Sequence, residues 1–173
     1  FVVAFVATGI TVLLVVTHTG FTTLDVPLDA MEPTLHGCPT CSSDRIVARS
    51  VFPRLERGDI VVLHPPDASL GPKVHRLVLR ALAGPGDTIE ARGDTLWVAH
   101  DGAPAQPIDE PYVNPQCRSA RLVTKGVVAL RVPAHHWYVL GDNRCGAVDS
   151  RAFGPVDESL LDGVVIARVW PLT

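Results

Sequence analysis

The sequence is poor in charge and has no concentration of it. Asp, Glu, Lys and Arg make up 19% of the 173 residues, and the net charge is −3. Without a basic footprint there is little to hold a phosphate backbone, so no nucleic-acid partner is expected. There is no internal repeat, no low-complexity tract and no block of like charge. No metal-ligand spacing stands out, and neither a metal nor another cofactor is expected. Beyond the first residues no long amphipathic helical stripe is present, which argues against a helical bundle.

What is abundant is apolar residues and turn-formers. The opening run FVVAFVATGITVLLVV, Phe1 to Val16, has no charge and only two threonines as polar residues. A spanning helix needs about 20 apolar residues, with a usual minimum of ~17. The chain opens at Phe1 rather than Met, so this run is expected to continue upstream and to form a membrane anchor. A cleaved signal peptide is the main alternative, but no small-x-small site follows at Thr17–Phe21. A buried core helix is the third reading. The 15 prolines and 14 glycines are dispersed between short Val- and Leu-rich runs. Strands are expected at Asp44–Arg49, Asp59–Leu63, Val74–Ala83, Thr88–Ala91, Thr95–Ala99, Arg121–Val132, His136–Leu140 and Gly163–Trp170. The turn signals PPD, GPGD, RGD and GDN fall between them. The organisation read from this pattern is an anchor over 1–17, a polar linker over 18–24 and a mainly β domain over 25–173.

Four cysteines, Cys38, Cys41, Cys117 and Cys145, follow the anchor. They allow three pairings, among which sequence does not choose. Cys38 and Cys41 form a Cys-Pro-Thr-Cys turn that lacks the βαβ context of a redox motif and the second close pair of a zinc site. A disulfide or loop staple involving Cys38 and Cys41 is the expectation.

Four stretches carry more than turn chemistry: DAMEPTLHGCPTCSSDRI (Asp29 to Ile46), RGDIVVL (Arg57 to Leu63), LVLRALAGPGDTIE (Leu77 to Glu90) and YVLGDNRCGAVDSRAFGPV (Tyr138 to Val156). In this order they resemble the conserved boxes of the type I signal peptidases, with a Gly-Cys…Cys extension of the first box similar to the actinobacterial branch. The resemblance implies a signal-peptidase-like β domain of short strands behind one N-terminal transmembrane helix. It also implies a single-pass protein of the cell membrane with its main domain outside the cytoplasm. Members of that family use a serine nucleophile and a lysine general base. The lysine acts as a neutral amine in apolar surroundings that depress its pKa, a second hydroxyl orients it, and a further hydroxyl with a backbone N–H stabilises the oxyanion.

The matching positions here lack those groups. Aligned by the boxes, the nucleophile position is Ala30, the general-base position Leu79, the oxyanion-hole position Leu28 and the lysine-orienting position Ala147. The retained frame is Met31, Pro33, Thr34, Gly86, Asp87, Gly141, Asp142, Asn143, Arg144, Asp149, Ser150 and Arg151. A slipped alignment that used Lys73 or the His75-Arg76 pair would need an insertion before the Gly-Pro-Gly-Asp turn and would not restore the serine. Replacing both members of a polar pair by apolar groups can be neutral or stabilising, whereas deleting one is costly. Loss of serine and lysine together therefore reads as an active site turned into an apolar floor. Among other catalysts, His64, His75, His135 and His136 have no activated serine or cysteine beside them in sequence. Asp29, Asp142 and Asp149 read as structural carboxylates, Asp142 as a turn cap and Asp149 as a partner of Arg151.

The function expected is a catalytically inactive signal peptidase homologue. It would bind export signal peptides of precursor proteins, or a partner, at the membrane lipid surface. One alternative is an active signal peptidase, a serine-type endopeptidase acting through unrecognised residues. Another is a structural subunit paired with an active paralogue. A LexA-like repressor is disfavoured by the anchor and by the lack of a helix-turn-helix segment.

Overall fold

The computed structural model describes residues 20–38, 40, 42–50, 54–66, 74–117 and 129–170. The expected anchor, with residues 18 and 19 of the linker, and the Arg121–Val128 part of one expected strand lie outside these residues. Among the described residues no helix is long and apolar enough to cross a membrane. Among the described residues the architecture is mainly β, with eleven strands in two antiparallel sheets.

The larger sheet contains β1 (Phe21–Asp25), β2 (Arg45–Arg49), β3 (Ile60–Leu63), β4 (Leu77–Ala83), β9 (His136–Leu140), β10 (Val156–Asp157) and β11 (Leu161–Trp170). Its strand order is β1-β2-β11-β3-β4-β9-β10. The smaller sheet contains β5 (Thr88–Arg92), β6 (Thr95–Ala99), β7 (Gln106–Pro107) and β8 (Ala129–Arg131), in the order β7-β6-β5-β8. The one α-helix among the described residues, α1 (Ser150–Phe153), has Asp149 as its cap, with the side chain accepting from the Arg151 N–H.

The burial of β4 explains its near-continuous apolar sequence. A half-buried strand alternates in polarity, but a strand covered on both faces need not. Leu77, Leu79 and Ala81 enter one apolar cluster, whereas Val78 packs in a second and Leu82 in a third. Arg80, on the face of Val78 and Leu82, interrupts the run and has a specific partner described below. At the end of β4 the chain turns through Gly84-Pro85-Gly86-Asp87. Gly86 has φ +84, a left-handed conformation that side chains rarely adopt, so this turn requires glycine at that position.

Three strands escaped the sequence pattern. All of strand β1 but Asp25 falls in the stretch read as a linker, and its mostly exposed residues give little alternation signal. Strands β7 and β10 have two residues each, too few to show a period. The expected strand at Val74 begins at Leu77, after the exposed His75 and Arg76.

Candidate functional site

Ala30 lies in a short 3-10 turn, Asp29–Met31, that packs against β4. Its neighbour Met31 is fully buried in the cluster that holds Val62 and Val78 and anchors the turn from one side. From the other side Asn143 holds it: the Asn143 backbone N–H donates to the Ala30 carbonyl at 3.0 Å, and its amide donates to the Asp29 carbonyl at 3.2 Å. Gly141 makes this approach feasible. A Cβ built there would lie 2.3 Å from the Ala147 Cβ and 2.5 Å from the Ala30 carbonyl oxygen. The first and fourth boxes therefore meet across a position that only glycine can fill.

Asp142 is the node that joins all four boxes. Its carboxylate accepts from Arg80 Nε at 2.9 Å and Nη2 at 2.6 Å, and from the Thr34 hydroxyl at 2.5 Å. Arg80 also donates through Nη1 to the Gly58 carbonyl at 2.8 Å. Burial alone would lower the Arg80 pKa, but the Asp142 hydrogen bonds and charge outweigh it and hold the guanidinium above its ordinary value. Asp142 therefore does far more than cap a turn.

The remaining frame residues of the fourth box support this node. Asp149 accepts from the Gly141 N–H at 3.0 Å and pairs with Arg151 through Nε and Nη2, each at 2.8 Å. The Ser150 hydroxyl accepts from the Val139 N–H at 2.9 Å, and Arg151 donates to the Arg144 carbonyl at 2.7 Å. Arg144 is buried against Glu110 and donates to the Gly141 carbonyl at 3.1 Å. Gly86 and Asp87 lie away from this group, at the far end of β4. There Asp87 accepts from the Gly84 N–H at 2.8 Å, Arg57 at 3.2 Å and His100 at 2.6 Å. Pro33 is exposed beside the 3-10 turn.

The four positions singled out for catalysis come together in one apolar cluster. Ala30 and Leu79 are among its buried members, at 6% and 0% exposure, and Leu28 and Ala147 pack against it partly buried. Val61, Leu63, Leu77, Ala81 and Val139 complete the floor around them. Another feature concerns the strand edge at this point. Strand β4 pairs with β3 from Ile60↔Arg80 to Leu63↔Leu77, but its pairing with β9 begins only at Arg80↔Leu140. Among the described residues no strand pairs with the other edge of Leu77–Leu79.

The histidines form no nucleophile–base pair among the described residues. His64 contacts Asp162 at 2.9 Å and the His75 carbonyl at 3.1 Å. His75 is exposed, His135 lies 3.5 Å from Glu158, and His136 bonds the Ala134 carbonyl. No group of three or more His, Cys, Asp or Glu among the described residues is placed to hold a metal ion.

Sequence reading missed the segment at Glu110–Cys117. Tyr112 lies under Arg80, with the guanidinium carbon 4.0 Å from the ring centroid, and its hydroxyl donates to Glu110 at 3.1 Å. Burial, and then the Glu110 carboxylate, push the Tyr112 phenol well above its usual range. Cys117 forms a disulfide with Cys145, so this segment is fastened to the fourth box covalently as well as by charge. Cys38 is also disulfide-bonded, and Cys41 lies outside the described residues. The available signal was Cys145 directly after the Gly-Asp-Asn-Arg run, together with Cys117 elsewhere in the chain, although sequence alone did not choose their pairing.

The chain is similar to known proteins over most of its length. The family model for signal peptidase, peptidase S26, matches residues 1–170. Signal peptidase I of Mycobacterium tuberculosis (strain ATCC 25618 / H37Rv) is 30% identical over 181 residues, covering 83% of this chain and 60% of that protein. The chain thus spans less than two thirds of the length of this mycobacterial relative. Signal peptidase IB of Staphylococcus aureus (strain COL) is 31% identical over 160 residues, covering 84% of this chain and 75% of the relative. The crystal structure of a signal peptidase I from Enterococcus faecalis V583 matches with a TM-score of 0.51 at 28% identity, over 67% of this chain and 100% of that one. With its boxes brought together around Asp142 and the family match running almost end to end, the chain belongs to the signal peptidase family, peptidase S26.

Proposed function

We propose that this chain is a non-cleaving member of its family that binds extended, apolar export signals of precursor proteins at a membrane surface. The observation that carries the reading is the chemistry of the site. Ala30, Leu79, Leu28 and Ala147 share one apolar cluster, so the aligned positions offer neither a hydroxyl to attack nor an amine to take its proton. Four replacements, all towards Ala or Leu, fit loss of the catalytic group as a unit. One would suffice to silence it, because members of such a unit act non-additively.

Recognition does not need the missing groups. An extended peptide can add to a sheet through main-chain hydrogen bonds, with side chains seated in alternate pockets. The edge of Leu77–Leu79 left without a strand partner beside Ala30 supports that mode. The membrane setting is supported by the apolar run Phe1–Val16 and by the likeness to signal peptidases, and in this reading the β domain lies outside the cytoplasm. A structural subunit that pairs with an active paralogue is the second reading, favoured by the complete burial of Leu79.

The test compares the full chain in detergent with an Ala30→Ser/Leu79→Lys double variant. Both are incubated with a fluorogenic precursor peptide, and binding of a labelled, non-cleavable analogue is followed by fluorescence anisotropy. The native chain is expected to bind without cleaving. Cleavage by the native chain at a small-residue site, in a preparation free of other peptidases, overturns the reading. Neither cleavage nor binding would favour the structural subunit.

A further inference from the structure

A cleft of about 690 Å³ opens at a different part of the same apolar floor. Its apolar wall includes Leu55, Trp137 and Leu161, which belong to the cluster that also contains Ala30 and Leu79. The volume is within the range of about 300–1,000 Å³ typical of ligand sites. Ala30, Leu79 and Ala147 do not line it, so the cleft is not the position of the missing dyad. It does reach Gly84, at the end of β4. Strand β9 occupies that edge of β4 from Arg80 onward, so a peptide seated at Leu77–Leu79 reaches the cleft over the apolar face; Leu79 and Gly84 are five residues apart on the strand, roughly 17 Å at ~3.3 Å per residue.

The charges on the rim are unequally engaged. Asp87 is buried and already accepts from Gly84, Arg57 and His100. Glu158 accepts the Trp137 indole N–H at 3.0 Å. Of the rim carboxylates only Glu56 makes no side-chain bond to a described residue. Opposite these, Arg57 spends a single N–H on Asp87, and Arg54 makes no hydrogen bond or ion pair with any described residue. Both arginines are exposed. The unused capacity of the rim is therefore mainly that of two guanidiniums, groups suited to a carboxylate.

We propose that this cleft is a second subsite for the polypeptide bound at the open Leu77–Leu79 edge of β4, taking an apolar side chain against Trp137, Leu55 and Leu161 and an adjacent carboxylate on Arg54 and Arg57. The proposal rests on the peptide-binding reading above and adds a sequence requirement to it. Five or six residues from the small residues beside Ala30, an apolar–acidic pair is favoured and an apolar–basic pair is rejected.

The probes are labelled peptides with a stretch of small apolar residues, carrying Leu-Glu, Leu-Gln or Leu-Lys five or six residues away on either side. Their affinities are measured by anisotropy on the full chain in detergent. Leu-Glu should bind about fivefold more tightly than Leu-Lys, as expected for a partly exposed charge contact. The difference should narrow at about 0.5 M salt, where exposed charges are screened. Arg54→Glu, at an exposed side chain, should reverse the preference, and Arg57→Gln should weaken the Leu-Glu peptide selectively. Equal affinities for all three peptides would overturn the subsite while leaving peptide binding in place. Failure of every peptide to bind would overturn both.

Discussion

Arg80 and Asp142 face each other as a two-bonded pair, Nε to Oδ1 at 2.9 Å and Nη2 to Oδ2 at 2.6 Å, with Asp142 almost wholly out of solvent. Thr34 on Asp142 and Tyr112 beneath Arg80 extend the pair into the first box and the Glu110–Cys117 segment. This tie links the first, third and fourth boxes with the Glu110–Cys117 segment.

Breaking that tie from one side should be severe. Asp142→Asn leaves the mostly buried Arg80 without its countercharge, and loss of one member of a fully buried pair costs about 3–5 kcal/mol, an upper bound here. Replacing both, as Arg80→Met/Asp142→Leu, should cost less than the single change. Urea unfolding of the three proteins decides this, and additive losses would show that the pair is not coupled.

Leu79→Lys alone should destabilise the fold in a pH-dependent way. Leu79 is 0% exposed among apolar neighbours, so an ammonium there would be desolvated and its pKa depressed. Below the depressed folded-state pKa the native state carries the full penalty. Between that value and the unfolded value of about 10.4, the unfolded state binds more protons, so stability rises with pH by ~1.36 kcal/mol per unit. A depression of three units thus corresponds to on the order of 4 kcal/mol. Denaturation at a series of pH values up to about 10 measures the slope; a flat profile would mean that the lysine reaches water.

The Cys117–Cys145 disulfide closes a long loop between the Glu110 segment and the fourth box. A loop of about 30 residues contributes roughly 3–4 kcal/mol in the chain-entropy description. Cys117→Ala/Cys145→Ala should lose about that much in a chemical melt. Because the Arg144–Glu110 pair joins the same two segments, the folded arrangement should persist. Collapse of the near-UV circular dichroism at low denaturant would contradict this.

The Asp157 carboxyl titrates below its ordinary value, first through the Ser159 side chain and then through the Ser159 N–H, which it caps at 2.8 Å. A depressed carboxylate stabilises the fold above the unfolded-state pKa, and the contribution is lost as pH falls through the folded-state value. Asp157→Asn should therefore flatten the acid limb of the stability profile below about pH 4. An NMR titration in which Asp157 moves at the usual carboxylate pH would remove the basis for this expectation.

Much of the site was legible because each box is local. The sequence LVLRALAGPGD carries its own strand and turn signals, and DSR carries its own helix cap, so β4, the turn after it and α1 are specified within a few residues. Strand β1 was not legible. Its residues face solvent and the strand exists through pairing with β2. Glu110 and Tyr112 were also missed, because their importance lies in Arg144 and Arg80, distant in sequence and close only after folding.

Taken by itself, the sequence determined the family, the mainly β character and which residue types occupy the aligned catalytic positions. Those properties depend on residue identity and short-range spacing. Tertiary structure alone decided that Ala30, Leu79, Leu28 and Ala147 lie in one apolar cluster, that Asp142 binds residues from two other boxes, and that Cys145 pairs with Cys117. The physical reason is that burial and charge pairing depend on which distant segments a strand packs against. The close approach across Gly141 makes that packing possible for the first and fourth boxes.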